Sequence, residues 1–211
     1  MKKLSLLSLA AVGALILTGC GKDGVAGTKL SAEKFKDYID EKLPEHLAEA
    51  LEYGFGSVDV RYSFVAKTAS LGGLDLTEKG KVSYKFNTET MHLDCLDEEF
   101  TEDNYACFNY VDDAVREISL WTYVGDNMSK EDFVAQFGAA AYSLYVNPYR
   151  VTYNETYKSG NNSQTNKAEL NFNSAGFCTK YVEGSTMKIS GKSGSYKVVV
   201  SLSWTKYVPE E

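Results

Sequence analysis

The sequence predicts an α+β protein: a curved antiparallel sheet of about nine strands, a half-barrel, with two amphipathic helices over its concave face. Three observations lead there. Four stretches alternate apolar and polar residues with a period of two, two others carry apolar stripes at helical spacing, and polar or glycine-bearing turns separate them.

The first helix is expected from Ser31 to about Tyr53. Ser31 suits the N-cap and Glu33 the first turn, while Phe35, Tyr38, Ile39, Leu43, Leu47, Ala50 and Leu51 form one stripe. Pro44 should kink this helix, and Gly54 and Gly56 should end it. Strands follow at 57–67, where Val58, Val60, Tyr62, Phe64 and Ala66 share a face, and at 81–87, where Val82, Tyr84 and Phe86 do. Weaker strands are expected near 90–96, 105–111 and 115–124. The second helix is expected from Ser129 to about Val146. Ser129 and Asp132 fit a capping box, the stripe runs Phe133, Val134, Phe137, Ala140, Ala141, Leu144, Tyr145, and Asn147-Pro148 stops it. Strands at 150–158, 167–173, 177–189 and 195–206 complete the pattern; the last carries Tyr196, Val198, Val200, Leu202 and Trp204 on one side. Such alternation belongs to antiparallel sheets solvated on one face, and so many strands must curl.

Ahead of the domain lie an export segment at 1–19 and a flexible, glycine-bearing tether at 20–30, leaving a single domain at 31–211. Lys2 and Lys3 precede an apolar run from Leu4 to Leu17, which is too short to serve as a spanning helix of ~20 residues. The run ends in Leu17-Thr18-Gly19-Cys20, which resembles the bacterial lipobox. That resemblance implies cleavage before Cys20, lipidation of Cys20, and a lipid-anchored protein on the extracytoplasmic face of the cell membrane, with inner or outer membrane left open.

The 211 residues hold 22 Lys+Arg against 29 Asp+Glu, a net charge of −7, and the three arginines, Arg61, Arg116 and Arg150, are scattered. No nucleic-acid partner is expected, because phosphate neutralisation needs clustered cations. Hydrophobic content of 44% excludes disorder.

The C-terminal third carries Asn171-Phe172-Asn173, then Gly176-Phe177-Cys178-Thr179-Lys180-Tyr181, then a strand pair through Trp204. With the order helix, strands, helix, strands, this resembles the half-barrel lipoproteins related to LolA and LppX, including lipoproteins of Gram-positive bacteria. The resemblance implies a curved sheet, helices across its mouth, and a cavity for an acyl chain or another apolar ligand.

No enzyme and no cofactor are expected. His46 lies among Glu45 and Glu49 on the polar side of the first helix, and His92 and Asp94 share a strand face as a surface pair. The sequence has no nucleophile elbow, zinc-protease helix or phosphate-binding glycine loop. The acidic run Asp94, Asp97, Glu98, Glu99, Glu102 and Asp103 lacks the glycine turn and closing glutamate of a calcium loop, so it reads as a solvated hairpin loop and no metal is expected. Cys95 and Cys107 bracket that loop and form the candidate disulfide, the alternative being three buried thiols together with Cys178. Most of the fifteen tyrosines are assigned to the fold.

Two functions follow from this reading. The first is a lipid or apolar-ligand carrier, whose candidate ligand-binding residues are Val60, Tyr62, Phe64, Tyr84 and Phe86 on the sheet and Phe133, Phe137 and Ala141 on the second helix. The second is an envelope protein-interaction module with no small-molecule ligand, reading its partner through exposed aromatics or an open sheet edge.

Overall fold

The computed structural model describes residues 27–125 and 128–209. The export segment, Cys20 and most of the expected tether therefore lie outside the described residues.

Strand β1 (Thr28–Leu30) precedes α1 (Ala32–Lys42), a 3-10 segment (Leu43–His46) and α2 (Leu47–Gly54). Strands β2 (Ser57–Lys67), β3 (Leu76–Asn87) and β4 (His92–Cys95) lead into α3 (Phe108–Arg116), α4 (Trp121–Gly125) and α5 (Lys130–Phe137). The chain then runs through β5 (Tyr142–Val146), β6 (Arg150–Ser159), β7 (Asn162–Phe172), β8 (Cys178–Ile189) and β9 (Lys192–Thr205). All nine strands form one antiparallel sheet in the order β1-β5-β6-β7-β8-β9-β2-β3-β4. Its edges, β1 and β4, do not pair with each other, so the sheet is curved and open. The α+β class and the open antiparallel sheet are as the alternation predicts.

Turn chemistry sets the hairpins. Ser190 and Gly191 both take positive φ in the two-residue β8–β9 turn, which matches the twist of the flanking strands. On the inner face, Gly80 lies opposite Tyr62, and a Cβ there would stand 2.5 Å from the Tyr62 hydroxyl. Only glycine leaves that ring its place.

The inner face is closed by helices. Phe35 and Ile39 of α1 and Leu43 of the 3-10 segment are buried, and Phe35 stacks on Phe133 of α5 with ring centroids 6.0 Å apart. Val111, Ala114 and Val115 of α3 are buried where that helix packs across β2, β8 and β9. The α3 N-terminus is held by the Glu78 carboxylate of β3, which accepts from the backbone N–H groups of Ala106 and Cys107 at 3.1 Å each.

Several local expectations are corrected. Residues 28–30 join the sheet through pairing with β5, which shortens the expected tether. Pro44 produces a 3-10 segment, as the expected kink would require, but the phase of the stripe changes there. Four residues at 120° instead of 100° rotate the helix face by roughly 80°. Leu47 and Leu51 consequently stand 50% and 51% exposed while Ala50 is buried. The second helix begins as expected, with Ser129 Oγ accepting from the Asp132 N–H at 3.0 Å, but it stops at Phe137. A Cβ at Gly138 would lie 2.4 Å from the Val134 carbonyl oxygen, and Tyr142, Leu144 and Val146 then take up period-two alternation as a strand. Ala141 thus sits in the turn before β5 and not on a helix. Residues 105–111 and 115–124 are not strands: Cys107, Val111, Ala114 and Val115 fit one helical stripe, and Arg116 pairs with Asp112 one turn back at 2.7 Å.

Candidate functional site

The residues expected to line an apolar cavity do not surround one space. Val60, Tyr62, Phe64 and Tyr84 are buried on β2 and β3, while Phe133 and Phe137 are buried on α5. Phe137 packs on Tyr142 of β5 at 5.2 Å, and β5 is separated from β2 by four intervening strands. Phe86 is half-buried beneath Phe55, with centroids 4.7 Å apart. The Tyr62 ring meets Phe100 and Tyr105, and Phe133 meets Phe35, Tyr123 and Phe137. Neighbouring side chains fill the space in front of each. Apart from half-buried Phe86, these positions belong to one contiguous apolar core.

Two open clefts lie elsewhere. One of about 420 Å³ is on the outer face, against Lys67, Asp75, Thr186, Ser193 and Ser195. Another of about 210 Å³ lies between Tyr38, Lys42 and His46 on one side and Asn147, Tyr149 and Asn173 on the other.

The inner face changes character along its strands. Cross-strand partners share a face, so the registers define rows. The row Val151–Leu170–Tyr181–Val200–Tyr62 is core. The next, Tyr153–Ala168–Glu183–Val198–Phe64, introduces a carboxylate. The one after it, Glu155–Asn166–Ser185–Tyr196–Ala66, is mostly polar. Beyond it stands the pair Tyr157–Gln164.

Two tyrosine-held carboxylates mark this polar half. Glu155 accepts from the hydroxyls of Tyr153 and Tyr157, which flank it along β6. These two donors hold its carboxyl below the usual range. Glu183 accepts from Tyr181 on its own strand and from Tyr196 on β9. It is only 5% exposed, and burial pushes its pKa up against the pull of the two hydroxyls. Tyr110 of α3 closes the lower wall, with its ring 6.1 Å from Phe64, 6.5 Å from Tyr181 and 6.3 Å from Tyr196. Asp113, on the same helix, is pushed up to about 6 by burial and then by Asp112, Glu117 and Glu183. Between the two carboxylates lies Asn166, 4% exposed. Its Oδ1 accepts from Ser185 at 3.2 Å and Gln164 at 3.3 Å, while its Nδ2 is buried without a partner.

Sequence reasoning missed these residues. The available signal was the pair of patterns Tyr153-Asn154-Glu155-Thr156-Tyr157 and Tyr181-Val182-Glu183, in which a carboxylate occupies the inward phase of a strand beside tyrosines.

The remaining candidates are structural. Cys95, Cys107 and Cys178 are free thiols, and the expected Cys95–Cys107 hairpin does not exist. Cys95 ends β4 and donates to the Asp97 carbonyl at 3.4 Å, whereas Cys107 precedes a helix, so the two are not opposed across a ladder. His46 Nδ1 stands 3.6 Å from Glu49, and His92 is exposed, while Asp94 accepts from Asn87 at 2.6 Å. Among the described residues, no group of three or more His, Cys, Asp and Glu is arranged to hold a metal ion, and no helix is long and apolar enough to cross a membrane.

Compared with known proteins, the chain matches no family model and no curated sequence.

Proposed function

We propose that this chain is a binding module of the cell envelope, tethered through a lipidated Cys20, whose ligand seat is the polar half of the concave face and not an apolar cavity. The observation that carries this reading is the division of one sheet face. Its apolar rows are covered by α1, α3 and α5 and filled with side chains, whereas the Glu155–Asn166–Ser185–Tyr196 row keeps accessible polar groups at its Glu155 end. Small-molecule seats combine a concave surface, aromatic walls and a few convergent polar groups, and this half supplies all three. The reading is of a binder and not an enzyme: both carboxylates accept from tyrosine hydroxyls, and the neighbouring Ser185 hydroxyl donates to the Asn166 amide oxygen and not to a base.

A fluorescent fatty acid titrated into the full chain tests the choice between the two halves. The expected result is no saturable binding. Saturable binding that is lost in Val60→Trp, with the melting temperature of that variant little changed, would restore the apolar carrier and overturn the polar seat.

A further inference from the structure

We infer that the inner face of the curved sheet at half-buried Glu155, where it meets buried Asn166 and Glu183, is a seat for a small organic ammonium ion that also bears an oxygen acceptor. This rests on the polar-seat reading above and names its ligand class.

The first support is charge. Glu155, Glu183 and Asp113 gather on one side of the sheet, yet among the described residues none of the ion pairs reaches any of them. Glu155 and Glu183 are instead held by neutral tyrosine hydroxyls, which leaves them without a counter-charge. A buried or half-buried anion without a counter-charge favours any cation that can approach it.

The second support is the wall. Tyr153 and Tyr157 flank the outer carboxylate, and Tyr181 and Tyr196 flank the inner one. Aromatic faces attract ammonium groups, and do so most strongly where water is partly excluded. A bare metal ion would need a dense shell of oxygen ligands, which this arrangement does not offer.

The third support is independent of charge. Asn166 is more than nine-tenths buried, sits between the two carboxylates, and has an amide nitrogen with no partner. An unsatisfied buried donor is costly, so a group that can reach it and accept is favoured. Asn166 and Glu155 are direct cross-strand partners, with Cβ atoms about 5 Å apart by the geometry of such pairs. A molecule that places an ammonium against Glu155 and an oxygen two or three bonds away therefore brings that oxygen to the Asn166 amide. A simple alkylammonium lacks the oxygen, and a neutral polyol lacks the charge.

The experiment is a nitrogen–proton correlation titration of the full chain with choline chloride at low ionic strength, read at the Asn166 side-chain amide and the backbone amides of Tyr153 to Tyr157. Saturable shifts are expected there, with Phe35 and Ile39 unmoved as reporters of an intact core. Glu155→Gln should weaken choline about tenfold, which corresponds to about 1.4 kcal/mol, and Glu155→Gln with Glu183→Gln should abolish the shifts. The neutral isostere 3,3-dimethylbutan-1-ol should not bind. Equal binding of that alcohol, or of choline to the double variant, overturns the inference, as does an unshifted Asn166 amide. Shifts at Asn166 with N-acetylglucosamine but not choline would replace the ligand class while keeping the polar seat. The polar seat itself fails on saturable core binding of the fatty acid, a result separate from the choline titration.

Discussion

Tyr196 of β9 donates its hydroxyl to Glu183 of β8, so a carboxylate that is 5% exposed is stabilised in the sheet by phenols and not by a cation. Tyr181 supplies the second donor from two residues along the same strand. Removing one donor leaves a buried anion less satisfied, so Tyr196→Phe should lower unfolding stability by about 1–3 kcal/mol in urea titrations at pH 7. Glu183→Gln, which keeps the shape and removes the charge, should cost less than Tyr196→Phe. The reverse order would mean that the carboxylate is not held as described.

Asp113 makes stability depend on pH. Its carboxyl is raised from 3.8 to about 6 by burial, then by Asp112 and Glu117 on α3 and Glu183 on β8. The folded chain therefore binds more protons than the unfolded chain between those values. The stabilisation is complete below the lower value and is lost as pH rises through the upper one. Asp113→Asn should flatten that slope and raise stability at pH 7 by about 1 kcal/mol, the shift being discounted for partial exposure. Urea midpoints at pH 4.5 and pH 7 check it.

The closed apolar half predicts a large cavity penalty. Phe133 is 1% exposed and packs on Phe35, Tyr123 and Phe137. Phe133→Ala should cost about 3–5 kcal/mol, measured by denaturant unfolding. A cost below about 1 kcal/mol would indicate a pre-existing void beside the ring.

Thiol reactivity should rank by burial. Cys107 and Cys178 are buried, and desolvation pushes each thiol up to about 12; Cys95 is half-buried. Alkylation at pH 8 followed by peptide mapping should therefore modify Cys95 first, with Cys107 and Cys178 reacting only on unfolding. Fast modification of Cys178 would contradict its place beneath Trp204, whose indole N–H donates to the Cys178 carbonyl at 2.6 Å.

Where one physical signal acts alone, the sequence is readable. The 57–67 strand is observed with the expected bounds because its alternation is uninterrupted, and the caps at Ser31 and Ser129 hold because side-chain chemistry fixes them locally. Where two periods fit the same residues, the reading fails. Leu144 and Tyr145 continue the α5 stripe, but Tyr142, Leu144 and Val146 equally mark a strand, and Gly138 decides between them by its close approach to Val134. The short apolar runs around Val111 and Tyr123 suit helix or strand, and tertiary packing decides: α3 lies on β2, β8 and β9, and Tyr123 packs on Phe133 and Phe137 of α5. The polar seat was illegible for another reason. Glu155, Asn166 and Glu183 come from three strands, and only the registers bring them into adjacent rows.

The division of one sheet face into a closed apolar half and a polar half is tested most directly by native mass spectrometry, with lipid extraction, of the full chain purified from membranes. The expected spectrum shows the chain, with the acyl groups proposed at Cys20, and no further apolar molecule. A stoichiometric, non-covalently bound lipid that survives desalting and appears in the extract would contradict the closed core and the binding seat proposed beside it.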